Sequence, residues 1–170
     1  MLFLPATSLM AFMALGALPS LHAQPIDFYV NRGIDKANRG DFEGAIADYS
    51  KALKLNPKYA YAFYNRAYDK AQFGDLLGAI EDFKSSLAIN SKDADAYFYL
   101  GQATSDLARF EEAIAYYSKA IDINKRYSSA YYERGRVKEK LAKYEQAVED
   151  YTKALAINSQ FSPAYYERGR

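Results

Sequence analysis

Adjacent acids recur along the chain, as Glu81-Asp82, Glu111-Glu112 and Glu149-Asp150. Paired carboxylates can act as acid and base or hold a divalent cation. Little else in the sequence supplies a reacting group. The single histidine is His22, and there is no cysteine. Beyond His22 the chain therefore lacks the partners of serine and cysteine nucleophiles, and lacks thiolate or imidazole ligands for zinc. The nine glycines stand singly, with no phosphate-cradling loop among them. The acid pairs also have a plainer account: they are solvated or balanced by basic neighbours, because no cleft-forming insertion interrupts the pattern in which they lie. No catalytic residue, cofactor site or metal site is expected.

A second set of charges recurs with more discipline. Arg32, Arg66, Arg134 and Arg168 occupy one register, Lys36, Lys70 and Lys138 follow four residues on, and Asp48, Asp82 and Asp150 come later. One copy has lost all three, carrying Leu100, Thr104 and Tyr116. Arg and Lys four apart share a helical face, and two roles are open to them: tying that face to the Asp of a partner helix, or forming a ladder for an acidic ligand. The joint loss favours the tie, since a ligand ladder has no reason to track an acid.

The elements that position these residues follow from a repeat. The run Tyr131-Tyr132-Glu133-Arg134-Gly135-Arg136 returns unchanged at 165–170, 34 residues on. In the same register stand the small residues Gly33, Ala67, Gly101 and Gly135, then Ala45, Ala79, Ala113 and Ala147, then the aromatics Tyr49, Phe83, Tyr117 and Tyr151. A further ladder, Tyr29, Phe63, Tyr97, Tyr131 and Tyr165, precedes each small position by four. Aromatic knobs against small holes at these spacings predict helix, short turn, helix in every unit. Arg39-Gly40-Asp41 and Phe73-Gly74-Asp75 supply a helix-ending glycine and a capping aspartate. Ala108-Arg109 and Ala142-Lys143 replace them, so those turns are expected to be less sharply specified. Asn56, Asn90, Asn124 and Asn158 recur between units, where left-handed geometry at a helix end is expected.

The pattern resembles the tetratricopeptide repeat family: an aromatic, a Gly or Ala four residues later, then Ala, an aromatic and a second Ala, here Ala52, Ala120 and Ala154 with Ser86 as a departure, and a terminal Pro kept only as Pro57. The resemblance implies an all-α, right-handed solenoid of stacked antiparallel hairpins, with units at 26–59, 60–93, 94–127 and 128–161 and the start of a fifth at 162–170. It implies a concave groove lined by the first helices, through Val30, Tyr64, Phe98, Tyr132 and Tyr166 and, four residues on, Ile34, Tyr68, Gln102, Arg136 and Arg170. Such a groove turns from apolar and aromatic to basic, and suits a peptide or helix with aliphatic side chains and an acidic end. The alternative for these tyrosines is packing against the adjacent unit. The family's clamp for chaperone C-terminal carboxylates is not matched, because only Asn65 fits such a set.

Composition and termini bound the rest. A net charge of +1 argues against general nucleic-acid binding, which needs a basic face. Residues 1–23 carry no Lys, Arg, Asp or Glu, and an apolar core from Leu9 to Leu18 leads through Pro19 to Ala23. This resembles a secretory signal peptide cleaved after Ala23, with an uncleaved membrane anchor as the alternative. Cleavage would leave an exported chain, periplasmic or secreted, with no membrane insertion. The apolar faces left open at the last unit predict that the array continues past Arg170. The function expected is a non-catalytic scaffold for a protein or peptide partner; the alternative is an accessory domain of a larger enzyme or envelope machine.

Overall fold

The computed structural model describes residues 25–160 together with Ala164. The leader expected at 1–23, and Tyr165, Tyr166, Arg168 and Arg170 of the fifth unit, lie outside the described residues. Eight helices follow in order: α1 (Pro25–Ala37), α2 (Phe42–Leu55), α3 (Ala60–Phe73), α4 (Leu76–Ile89), α5 (Ala94–Asp106), α6 (Phe110–Ile123), α7 (Ser128–Lys140) and α8 (Tyr144–Ile157). Every regular element among the described residues is helical, and the architecture is an all-α solenoid. Consecutive helices pair as hairpins, α1 with α2 through α7 with α8, and each second helix packs on the first helix of the next hairpin. Successive odd helices also touch, α1 with α3, α3 with α5 and α5 with α7. Those odd helices thus form the tighter, inner layer of the curve.

Small residues let the hairpins close. Ala45, Ala79, Ala113 and Ala147 are at most 2% exposed, and the aromatic four residues further along each helix is equally buried. A methyl group on Gly33, Gly101 or Gly135 would come within 2.6, 2.8 or 2.7 Å of the ring of Tyr49, Tyr117 or Tyr151. Those contacts are too short for any real side chain, so glycine is required beneath each tyrosine. In the second unit the pair changes together, to Ala67 and Phe83 in one core cluster.

The turns within hairpins all end the first helix in a left-handed residue. Gly40 and Gly74 do so at φ 81° and 96° without strain, while Ala108 and Ala142 do so at φ 57° and 56°. An L-residue pays for that geometry in steric crowding against its Cβ. Asp41 and Asp75 then accept hydrogen bonds from the Gly44 and Gly78 amides at 2.9 Å. Arg109 and Lys143 make no such cap.

The turns between units correct the expectation for asparagine. None of Asn56, Asn90, Asn124 and Asn158 is left-handed: their φ values are −138°, −123°, −121° and −132°. Asparagine recurs there for its side-chain oxygen, which accepts from the amide two residues on, at Lys58, Lys92, Arg126 and Gln160. This is an Asx turn, which folds the chain tightly with no left-handed residue.

Candidate functional site

The recurrent charges form three ion triads inside the hairpins. Arg32 donates from Nε and Nη2 to the two Asp48 oxygens at 2.7 and 2.5 Å, and Lys36 reaches Asp48 at 2.9 Å. Arg66 and Lys70 hold Asp82 with distances of 2.7, 2.7 and 2.9 Å, and Arg134 and Lys138 hold Asp150 at 2.9, 2.6 and 2.8 Å. The three aspartates are at most 4% exposed. Arg66 and Arg134 also donate at 2.9 Å to Ser50 and Ser118 of the preceding hairpin, so these triads join units as well as helices. The Arg32 guanidinium, and after it the Lys36 ammonium, hold the Asp48 carboxyl well below the usual carboxylate range against the opposing cost of burial.

In the third hairpin Leu100 and Thr104 are buried in place of the two cations, and the Thr104 hydroxyl donates to the Leu100 carbonyl at 2.6 Å. The acid pairs of the sequence divide accordingly. Asp82 and Asp150 are consumed in triads, while Glu81, Glu111, Glu112 and Glu149 are exposed. Among the described residues no group of three or more His, Cys, Asp or Glu is placed to hold a metal ion.

With six cations of the odd helices committed to aspartates, the inner face is left to aromatic, amide and acidic side chains together with Arg136 and Lys140. A cavity of about 220 Å³ opens across α3, α5 and α7. It brings together Tyr68, Gln102 and Arg136, one from each of three successive units. It is lined as well by Gln72, Tyr99, Asp106, Glu133 and Lys140, which the sequence reading left out. Each of these lies three residues before or four after a predicted one, the spacing that shares a helical face.

The other candidate residues are placed differently. Val30 and Phe98 are core residues, 2% and 7% exposed, with Phe98 stacked on Tyr127 at 5.0 Å. Ile34 packs at the edge of the first core cluster. Tyr64 is half-buried, its ring edge-on to Phe83 at 5.8 Å and to Tyr99 at 6.1 Å. Asn65 spends its amide on the Tyr61 carbonyl at 2.6 Å. The Tyr132 ring lies 5.7 Å from Tyr151 and 5.8 Å from the Arg136 guanidinium.

At the α7 end of this face the two cations have partners. Arg136 is paired with Glu133 at 3.1 Å, and Lys140 lies over the Phe110 ring at 5.3 Å. Burial pushes the Glu133 carboxyl above its usual range, opposed by Arg136. Outside the triads the odd helices carry Asp27, Asp35, Asp69, Asp95, Asp106, Glu133 and Glu139 against only Arg136 and Lys140. In composition, the odd helices outside the triads are acidic.

Asp69 stands apart from the other acids. It is 4% exposed, it is hydrogen-bonded to the Tyr49 hydroxyl across the first two units, and its Oδ2 has no partner. Burial pushes its carboxyl up to about 6. At the next junction Phe83 and Ala103 occupy the corresponding positions, and no acid is needed.

Comparison with known proteins agrees with this geometry. Family models described as TPR repeat and tetratricopeptide repeat match residues 37–72, 64–131 and 128–161. Among solved structures, MamA is 32% identical with a TM-score of 0.78, covering 81% of this chain and 80% of its own. The pilF protein of Pseudomonas aeruginosa is 25% identical with a TM-score of 0.76, covering 85% of this chain and 66% of its own. YrrB, described as having an unusual peptide-binding site, is 21% identical with a TM-score of 0.73 over 83% of this chain and 73% of its own, a likeness of fold. No curated protein sequence matches the chain. The chain belongs to the tetratricopeptide repeat family, whose arrays are typically interaction modules.

Proposed function

We propose that the chain is a non-catalytic scaffold that holds a peptide or helix of a protein partner along the inner face of α3, α5 and α7. The observation that carries this reading is the shared cavity of Tyr68, Gln102 and Arg136, residues one unit apart on three adjacent helices. Aromatic rings beside amide and charged groups give contact area and orientation together. An acidic surplus on the odd helices disfavours phosphate backbones, which supports a protein partner over a nucleic acid.

A random peptide library panned against the full chain tests this. Enriched peptides are expected to bind a Tyr68→Ala, Gln102→Ala, Arg136→Ala variant about tenfold more weakly, close to 1.4 kcal/mol, with helicity unchanged. Peptides that bind both proteins equally would overturn the groove. Substituting Phe98 would be uninformative, because that ring is in the core. We propose export through residues 1–23 as well. The mature chain is then expected to begin at Gln24, and a start at Met1 on the exported protein would count against cleavage.

A further inference from the structure

A second cavity, of about 430 Å³, lies at the opposite end of the odd helices, where the starts of α3 and α5 meet the end of α4. Tyr59, Tyr61, Tyr64, Asp93 and Asp95 line it, and none of its lining residues is basic. Aromatic faces attract cations through the ring quadrupole, and a carboxylate at the same site adds a charge-assisted hydrogen bond. Neither group favours an anion.

The repeat itself shows what is special here. At the first junction the Tyr59 hydroxyl donates to Asp27 at 3.3 Å, and at the third Tyr127 donates to Asp95 at 2.6 Å, each pair 32 residues apart. At the middle junction the two residue types are exchanged: Asp93 stands where tyrosine stands elsewhere, and Tyr61 stands where aspartate stands. No hydrogen bond joins Asp93 to Tyr61 among the described residues. Asp93 uses Oδ1 to cap the Ala96 amide at 3.0 Å, and Asp95 uses Oδ1 for Tyr127. Each keeps Oδ2 for another donor. Their charge reaches the pocket wall, since burial, then Tyr99, then Asp95 and Asp93 all push the Tyr64 hydroxyl pKa upward.

We infer that this pocket receives the cationic side chain, lysine or arginine, of a protein partner laid along the inner face, an inference that rests on the scaffold reading above. It reverses the partner charge that the sequence implied. A basic residue would enter between Tyr59, Tyr61 and Tyr64 with its charged head against Asp93 and Asp95, while the rest of the segment runs toward Tyr99 and Gln102. Charge complementarity selects this occupant, because Asp93 and Asp95 line the pocket with no basic residue beside them, and outside the triads the odd helices carry seven acids against two cations.

The test is an NMR titration of the full chain with acetyl-lysine methylamide and its neutral isostere acetyl-norleucine methylamide. The lysine probe is expected to shift the amides of residues 59–64 and 93–96 saturably at concentrations on the order of millimolar, and the norleucine probe to leave them in place. Asp93→Asn with Asp95→Asn keeps the cap and the Tyr127 acceptor, and is expected to weaken the lysine probe about tenfold. Equal shifts from both probes, unchanged binding to the double variant, or no shifts at these residues would each overturn the inference.

The scaffold reading fails separately. Tyr68, Gln102 and Arg136 do not line this pocket, so their triple alanine variant must still bind the lysine probe. Panned peptides that depend on those three residues, lack Lys and Arg, and bind the double Asn variant undiminished would overturn the inference and leave the scaffold standing. Probe binding with no groove-dependent peptide would do the reverse.

Discussion

The second and third units share one backbone design and reach it by different chemistry. In α3 and α4, Arg66 and Lys70 clasp buried Asp82; in α5 and α6, Leu100, Thr104 and Tyr116 fill the same place. The second unit packs Ala67 with Phe83, and the third sets Gly101 beneath Tyr117, where an added methyl group would come within 2.8 Å of the ring. One carries buried Asp69 where the other has Ala103, and one turns at Gly74 where the other turns at Ala108. The fold is therefore specified by shape at each position, and polar and apolar groups are interchangeable wherever a whole set changes together.

That interchangeability gives the largest expected effect. Asp82→Ala leaves two cations around a buried vacancy and should cost about 3 kcal/mol, since removing one partner of a buried pair strands the other charges. Arg66→Leu, Lys70→Thr and Asp82→Tyr together import the third unit's solution and should fall within about 1 kcal/mol of the parent. Urea titration followed by circular dichroism measures both. If the triple variant loses more than Asp82→Ala does, the two units are not equivalent solutions.

What the sequence disclosed follows the same logic. The triads were legible because one unit had lost all three members at once, so the covariation named the partners before any distance was known. The hairpins were legible because small and aromatic positions recur jointly. Of the residues read as a groove, Tyr68, Gln102 and Arg136, at the middle of each inner helix, line one cavity. One turn earlier, Val30 and Phe98 turn into the core while Tyr64 and Tyr132 stay half-buried, and register alone does not distinguish these outcomes. The acidic surplus of the odd helices was hidden because it is a remainder, visible only once the triads have claimed the cations. Asparagine was misread because one residue type serves two turn chemistries, and only φ separates them.

Asp69 gives the next effect, and a pH signature that separates the units. Its folded pKa of about 6 lies above the unfolded value near 3.8. Its stabilising contribution is thus fully present below about pH 4 and is lost as pH rises through about 6. The span is at most about 3 kcal/mol, from 1.36 kcal/mol per unit. Asp48 works in the opposite sense: its lowered pKa contributes above pH 4 and is lost in stronger acid, so the windows do not overlap. Asp69→Ala with Tyr49→Phe reproduces the Phe83–Ala103 junction and should flatten stability between pH 4 and 7. An unchanged slope in that range would move the titration to another group, Glu133 first.

The smallest effects run the other way and improve the third unit. Ala108→Gly removes the Cβ crowding of a left-handed alanine and should gain about 1 kcal/mol, since that geometry costs an L-residue roughly 1–2 kcal/mol and glycine gives back part of the gain in unfolded-state entropy. Arg109→Asp supplies the cap that Asp75 gives the second unit and should add about 0.5–1 kcal/mol, through an acceptor for the helix amides and a favourable charge at the α6 N-terminus. Asp75 sits before Gly78, where a methyl group would come within 2.2 Å of its carboxylate, whereas the third unit has Glu112 at that position. The new aspartate therefore has to cap from a different rotamer, and the fraction of the gain recovered measures how far the cap depends on its glycine. Full recovery would show that glycine is dispensable there, and a loss would show that Asp and Gly form one unit of turn chemistry that the third and fourth units replaced together.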